Sequence, residues 1–521
     1  MQRVARTTRW VVLATLVPAL LGLTGTASHA TSTGPPSLRE RVVTSHIVVT
    51  RAPGQKRVFV DPGVYVIPVG GSFQIDVSRP DYQYPATVSQ VWTDQAGPEE
   101  RSLPGTIADG WNGLARFLRY QVTNSSGTVV RRGGLTFCPN SFSPQRVQPS
   151  GPSDPTFPTF CGASDPFPIG AVWGIDQGWG VDPFSDGGFF EGGVTTTGIP
   201  PIFGGGISFH GPDGRYAVTV SIAPRYVGMF GVYPPASTRT VYVRVKTEQG
   251  SCSVGCPAPQ PRGALREPGV PRDRAQASTV PVTGPPPAQY LPDLASLPAW
   301  NVAVSDRPKA DMLVFNATEW VGGGSLLDVE GFRQPNSDVM NAYQYFYENG
   351  QVVGRAPAGT MFFDDLNGHD HWHFAQFARY SLLDSSQSQV LRSHKVGFCI
   401  APTDPVNLLV PGAALRPSDL GFGGGVCGSP SALWTREEMP LGWGDTYSQY
   451  VAGQAFNITD VPNGTYYIDV QVNPMGLLYE QDTTNDATLR QIVLGGRPGH
   501  RTVCVPAIDG VDQEGDCPSG P

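Results

Sequence analysis

Three of the eight histidines in this 521-residue chain fall within one pentapeptide, His369-Asp370-His371-Trp372-His373. On a β-strand the side chains of residues i, i+2 and i+4 leave the same face, so all three imidazoles can converge on one point. Neutral imidazole is the commonest side-chain ligand of copper, zinc and iron, and three of them leave a coordination position open for chemistry. A chance cluster on a solvated strand would carry the same letters. The spacing alone therefore describes a metal site without naming its metal.

The elements that must hold such a site are strands. Short Val, Ile, Tyr and Phe runs are interrupted throughout by 63 glycines and 51 prolines, and no long 3.6-residue period occurs. That pattern predicts an all-β, loop-rich protein. A chain this long exceeds what one hydrophobic core accommodates, so two domains are expected. Residues 1–30 read as a secretory signal: Arg3, Arg6 and Arg9, an apolar run over 10–23, then Ser28-His29-Ala30 as a small-x-small cleavage site. A membrane anchor would need a longer apolar run, and no other stretch could span a bilayer. The chain is thus expected to be exported and extracellular. Export turns the eight cysteines into a disulfide question. They fall in local pairs, Cys138/Cys161, Cys252/Cys256, Cys399/Cys427 and Cys504/Cys517. The formal charge is −8 and no Lys/Arg-rich run exists, which argues against nucleic-acid partners. Nothing in the sequence assigns an oligomeric state.

Internal similarity suggests a duplication. Pro212-Asp213-Gly214-Arg215-Tyr216 parallels Pro462-Asn463-Gly464-Thr465-Tyr466, each a Pro-Asx-Gly turn feeding an alternating strand. Ala115-Arg116-Phe117-Leu118-Arg119-Tyr120 parallels Ala375-Gln376-Phe377-Ala378-Arg379-Tyr380, followed in each half by Phe-Cys and then Cys-Gly. Gly70-Gly71-Ser72 with Asp76-Val77 parallels Gly323-Gly324-Ser325 with Asp328-Val329. The expected organisation is a signal over 1–30, a β-rich N-terminal domain over 31–250 and a Pro/Gly-rich linker over 251–288. A second β-sandwich-like lobe follows over 289–500, then a tail over 501–521 with a cysteine pair. Where the second half has His369, His371 and His373, the first has Asp109, Trp111 and Gly113. Only the second copy is equipped for metal chemistry.

The run Gly368–Asp384, the segment His394-Lys395-Val396-Gly397-Phe398-Cys399, then Asp445-Thr446-Tyr447 and Ile458-Thr459-Asp460 through Gly464 and Tyr466 closely resemble the catalytic domain of lysyl oxidases. The resemblance covers residues 291–494. It implies copper(II) on His369, His371 and His373, and a lysine tyrosylquinone built from Lys395 and Tyr447. It further implies oxidative deamination of primary amines, peptidyl lysine or small amines, to aldehydes, with dioxygen consumed and hydrogen peroxide and ammonia released. Asp445, beside the cofactor tyrosine, is the expected general base, although a turn-forming aspartate would read the same way. Mammalian members of the family have a histidine where this chain has Arg379, so no role of that histidine transfers.

A second site follows from the resemblance. Glu480-Gln481-Asp482-Thr483-Thr484-Asn485-Asp486 matches an acidic calcium-binding segment that Pro292-Asp293-Leu294 completes. Asp293, Leu294, Glu480, Asp482, Asn485 and Asp486 would then hold calcium through hard oxygen donors. The first copy lacks all of this equipment, with Gly134-Leu135 near the position of Lys395 and Asp182-Pro183-Phe184 in place of Asp445-Thr446-Tyr447. Two other readings stay open: a three-histidine zinc or iron enzyme without a quinone, and a calcium-stabilised extracellular binding protein with a vestigial metal site.

Overall fold

The computed structural model describes residues 34–94, 96–184, 188–190, 206–248, 286–307, 310–333, 337–365, 371–417, 427–449, 453–515 and 517. The signal segment, Cys252, Cys256, nearly all of the 251–288 linker and His369 lie outside them. The expected all-β class is what the chain adopts: strands arranged in several sheets, with a single α-helix, Pro224–Met229, among the described residues. No helix among them is long and apolar enough to cross a membrane.

Each half is built around one antiparallel sheet whose strands follow the same order. In the first half Val129–Phe137, Leu114–Asn124, Gly214–Ile222 and Thr238–Thr247 lie side by side. In the second, Gln389–Arg392, Ala378–Leu383, Gly464–Val472 and Ala487–Arg497 do the same. The register agrees residue by residue. Tyr120 pairs with Val220 as Tyr380 pairs with Val470, and Leu118 with Ile222 as Ala378 with Val472. Small irregularities recur as well. Arg116 and Gln376 both take positive φ, 48° and 65°. The Tyr216 hydroxyl donates to the Pro212 carbonyl and the Tyr466 hydroxyl to Pro462, at 2.7 and 2.9 Å. Alternation explains why these segments are strands: Tyr466, Ile468, Val470 and Val472 point inward while the residues between them face outward. Each such buried side chain contributes roughly 1.5–3 kcal/mol.

The two halves are joined by more than the chain. Residues 139–172 of the first half cross to the second. The Ile169 amide donates to the Val406 carbonyl at 2.8 Å and the Leu408 amide to Gly170 at 2.9 Å. Phe157 and Val172 sit in the second half's hydrophobic core. The Arg416 guanidinium donates to the carbonyls of Ser141, Phe142 and Phe157. Disulfides join Cys138 to Cys161, Cys399 to Cys427 and Cys504 to Cys517, as the local pairing predicts. The residues after 500 do not trail as a tail. His500–Cys504 pairs with Ala487–Arg497, and the fully buried Arg490 donates to Asp512 beyond it.

Candidate active site

His371–Ala375 runs antiparallel between Gln351–Asp364 and the short strand Gly397–Phe398. Trp372 and Phe374 enter the core, which leaves His371 and His373 together on the other face. Their Nε2 atoms are 3.0 Å apart. Two imidazoles bound at about 2.0–2.1 Å to one ion bring their donor atoms to about this separation, so the pair fits a shared metal. Asp364 Oδ2 lies 3.3 Å from His373 Nδ1, on the ring edge opposite His371, where a carboxylate fixes ring orientation. Gly397 is required for the close approach of its strand: a Cβ there would strike the Phe362 ring and come within 2.9 Å of the His373 Cβ. Among the described residues no three His, Cys, Asp or Glu side chains surround one point. The third histidine, His369, is outside that set.

Lys395 is nearly buried, with its amide donating to the Gly453 carbonyl at 3.1 Å. Its Nζ stands 5.1 Å from the centroid of the Tyr447 ring and 5.2 Å from that of Phe398. Burial pushes the ammonium down to about 8, against the pull of Asp364, Asp445 and Glu319. Tyr447 ends the strand Trp443–Tyr447, which pairs with Ala310–Gly324, and its ring meets Phe398 edge-on at 4.9 Å. Its hydroxyl donates to the Cys399 carbonyl at 2.9 Å. The same cysteine is bonded to Cys427, whose carbonyl accepts from the Trp372 amide at 2.9 Å. One disulfide therefore ties the tyrosine's acceptor to the histidine strand. Burial, then the neighbouring Asp445, raises the Tyr447 phenol well above its ordinary value. Burial also pushes Asp445 up to about 7, opposed by the Tyr447 hydroxyl, the Ala401 amide and Lys395.

The site holds acidic groups that sequence reasoning missed. Glu319 lies directly opposite Asp445 across the two paired strands. Glu437 faces inward from Trp434–Met439 and accepts from the Ile400 amide at 3.0 Å. Both are fully buried, and burial raises both carboxyls well above their ordinary range. Their signal was an acidic residue at an inward position of an apolar strand, which reads as a solvent-facing charge until the register is known. Arg379 is not part of the site. It alternates away from Tyr380 and donates to Gln471 Oε1.

The acidic loop closes on Asp293, whose Oδ1 accepts from Asn485 at 3.0 Å. Glu480 Oε2, Asn485 Oδ1 and Asp486 Oδ1 are buried without a hydrogen-bond donor, a set of orphaned oxygens that suits a hard cation. Glu480 is pushed up to about 8, first by burial and then by Asp486. Leu294 packs its side chain in the core, which leaves only its backbone as a donor to any cation there. Asp482 is exposed, with Oδ1 engaged by Thr484, and its charge acts on Asp486.

The equivalent positions of the first half are engaged differently. Asp109 Oδ2 accepts from Thr136 at 2.7 Å, Trp111 stacks under Arg79 at 5.4 Å, and Phe184 is fully buried.

Residues 432–504 match the family model described as lysyl oxidase, a span that includes Glu437, Asp445, Tyr447 and the acidic loop. The chain is 30% identical over 140 residues to protein-lysine 6-oxidase of Sus scrofa, covering 26% of this chain and 49% of that protein. Against protein-lysine 6-oxidase of Homo sapiens it is 30% identical over 140 residues, 26% of this chain and 29% of the relative. Against lysyl oxidase homolog 1 of Homo sapiens it is 30% identical over 141 residues, 26% of this chain and 21% of the relative. The chain thus spans about half or less of the length of these relatives.

Proposed function

Starting from a C-terminal region that belongs to the lysyl oxidase family, we propose that the chain is an exported, copper-dependent amine oxidase acting on primary amines, peptidyl lysine or smaller. The observation that carries this reading is the placement of Lys395 Nζ 5.1 Å from the Tyr447 ring, in the same lobe as the converging His371 and His373 pair. With copper held by His369, His371 and His373, and dioxygen available, the metal supplies the oxidising chemistry that would join Lys395 to Tyr447 as a tyrosylquinone, the two-electron acceptor for the amine.

The chain's own groups do the rest. Burial brings the Lys395 amine to about 8, so a sizeable fraction is unprotonated and nucleophilic near neutral pH. Phe398, edge-on to Tyr447, fixes the plane of the ring the amine must reach. Asp364 orients His373 through Nδ1. Asp445, at about 7, can take and return a proton close to neutrality, which suits a general base. Calcium in the loop of Asp293, Glu480, Asn485 and Asp486 would neutralise carboxyls now held in an unsatisfied cluster. The first half is a non-catalytic copy that buttresses the working lobe through residues 139–172.

The test is to load purified protein with copper in air and digest it. A Lys395–Tyr447 cross-linked peptide, a visible quinone absorbance and peroxide release from a primary amine are expected. Separate, intact Lys395 and Tyr447 peptides after loading would overturn the reading. Hydrolytic activity with them intact would favour a zinc or iron enzyme, and metal uptake with no turnover a binding protein.

A further inference from the structure

Glu319 ends a stretch buried without a break from Leu313, and the residue itself is 0% exposed. It pairs with Asp445, and residues directly opposite in an antiparallel sheet have Cβ atoms roughly 4.5–5.5 Å apart. Neither Glu319 oxygen has a hydrogen-bond partner of ordinary geometry. Burying a carboxyl without a partner is costly, so a strand selected for packing alone would carry an aliphatic residue here.

The other lobe carries an aliphatic residue at the matching point, although it buries a carboxyl of its own next to it: Glu40, 1% exposed and without a hydrogen-bond partner, lies directly opposite Val66. Aligning Gly70-Gly71-Ser72 with Gly323-Gly324-Ser325 places Val66 at the position of Glu319, and Val66 bridges Val181 as Glu319 pairs with Asp445. Aligning Val77 with Val329 places Ala171 at the position of Glu437, through the pairs Val77–Ala171 and Val329–Glu437. Tyr120 keeps the position of Tyr380. The same scaffold closes with Val66, Val181 and Ala171 all buried. Its folding does not call for carboxyls at the positions of Glu319 and Glu437, whereas Asp182, which matches Asp445 in sequence, is a buried carboxyl there too.

We infer that Glu319 is a positioning residue for the reaction at Lys395 and Tyr447: it shares one proton with Asp445, so that the pair, rather than Asp445 alone, takes up a proton from the substrate. This rests on the amine oxidase reading. The groups facing the pair are Tyr447 on the strand of Asp445, Tyr380 from Ala378–Leu383, Glu437 from Trp434–Met439, Asp404 from the strand Asp404–Pro405, and Lys395. Lys395 supplies the one positive charge among these and favours a single anion on the pair. Glu437 and Asp404 oppose a second. In the resting site the pair holds one proton and one negative charge. Taking a proton from the carbon next to the substrate nitrogen leaves both carboxyls protonated and neutral, and the bond's electron pair passes to the oxidant the copper site supplies.

Two measurements on the full chain separate the outcomes. Infrared titration of copper-free protein reads the carbonyl stretch of protonated carboxyls without any turnover. The wild type minus Glu319→Gln difference should hold two steps belonging to the pair, and Asp445→Asn should remove the same two-step behaviour. With copper, Glu319→Gln should form the cross-link in wild-type yield while the acid limb of kcat/KM against pH moves by about one pH unit or more. Glu319→Asp, which keeps a carboxyl, should restore most of the wild-type profile. Independent single steps for Glu319 and Asp445, or a Glu319→Gln pH profile superimposable on wild type, would overturn the inference. A coupled infrared titration in protein that forms no cross-link would sustain the shared proton and sink the amine oxidase reading instead.

Discussion

The two lobes share one sheet plan and fill its interior differently. Tyr120 and Tyr380, Tyr216 and Tyr466, and the paired disulfides occupy matching places, and the strand registers agree. Yet Val66, Ala171 and Phe184 stand in one interior where Glu319, Glu437 and Tyr447 stand in the other. The shared residues are those that turn, register and close the sheet. The differing ones in the second lobe are buried ionisable groups held close together, Glu319, Glu437, Asp445 and Tyr447, with a lysine amine over a ring. Unfavourable burial alone does not separate the lobes, since Glu40 of the first is buried without a hydrogen-bond partner as well; the second differs in gathering several ionisable groups around Lys395 and Tyr447.

The largest test converts one lobe's residue into the other's. Tyr447→Phe reproduces the Phe184 solution, and removes the hydroxyl that donates to Cys399. Amine oxidation should fall to background and the quinone absorbance should vanish. The net stability loss should be about 0.5–1.5 kcal/mol, one hydrogen bond, measured by denaturant unfolding. Residual turnover with an intact quinone would mean that another tyrosine is the precursor.

The disulfides offer a sharper contrast. Cys138–Cys161 and Cys399–Cys427 close loops of similar length, 23 and 28 residues apart in sequence. Chain entropy alone predicts that removing either, as a double Cys→Ser change, costs about 3–4 kcal/mol. Only Cys399–Cys427 holds the acceptor of the Tyr447 hydroxyl and the backbone partner of Trp372. Its removal should lower cross-link yield severalfold under conditions where the protein stays folded, while loss of Cys138–Cys161 should leave the yield near wild type. Equal effects on yield would show that the bridge acts through global stability.

Much of this was legible in the sequence, and the exceptions have physical causes. The turns Pro-Asp-Gly and Pro-Asn-Gly, the alternating strands and the local cysteine pairs are short-range features, and the structure keeps all that fall within its described residues. The proximity of Lys395 to Tyr447 came through motif resemblance, since 52 positions separate them and spacing says nothing about contact at that range. Glu319 and Glu437 escaped notice because strand register decides whether an alternating acid faces water or core. Asp482 belongs to the acidic run that the resemblance marks for calcium, and its Oδ1 accepts from the Thr484 amide and hydroxyl. The crossing of residues 139–172 into the other lobe was invisible, because a Pro-rich loop carries no periodicity that names its partner.

Calcium is the next contrast between the lobes, because the proposed calcium loop, with the buried oxygens of Glu480, Asn485 and Asp486, belongs to the second. At a hundredfold excess over its dissociation constant, a cation that binds only the folded state stabilises it by about 2.7 kcal/mol. Calcium should therefore raise the unfolding midpoint and chelator should reverse it. Glu480→Gln should abolish the response, while Asp482→Asn, at the exposed member, should weaken it slightly. An unchanged midpoint across a calcium titration would remove the site.

The smallest expected effect lies between the lobes. Asp165 in the first and Asp404 in the second are both buried, and the Ser164 amide donates to Asp404 Oδ1 at 2.6 Å across the interface. Burial, then the charge of Asp404, pushes Asp165 up to about 8. A carboxyl raised in the folded state gives its full contribution below its unfolded value, about 4, and loses it as pH rises through about 8. The wild type should therefore lose stability across that window as the interface is forced to give up protons. Asp165→Asn keeps an oxygen for the Phe167 amide, which donates to Oδ1 at 2.7 Å, and cannot ionise. Near pH 4 it should match wild type. Toward pH 8 it should be more stable by on the order of 1 kcal/mol, about one pKa unit's worth of relief. Urea unfolding at the two pH values reads the difference. A variant less stable at both would show that the carboxyl proton itself holds the lobes together, which would make the silent lobe a partner in the working lobe's pH response.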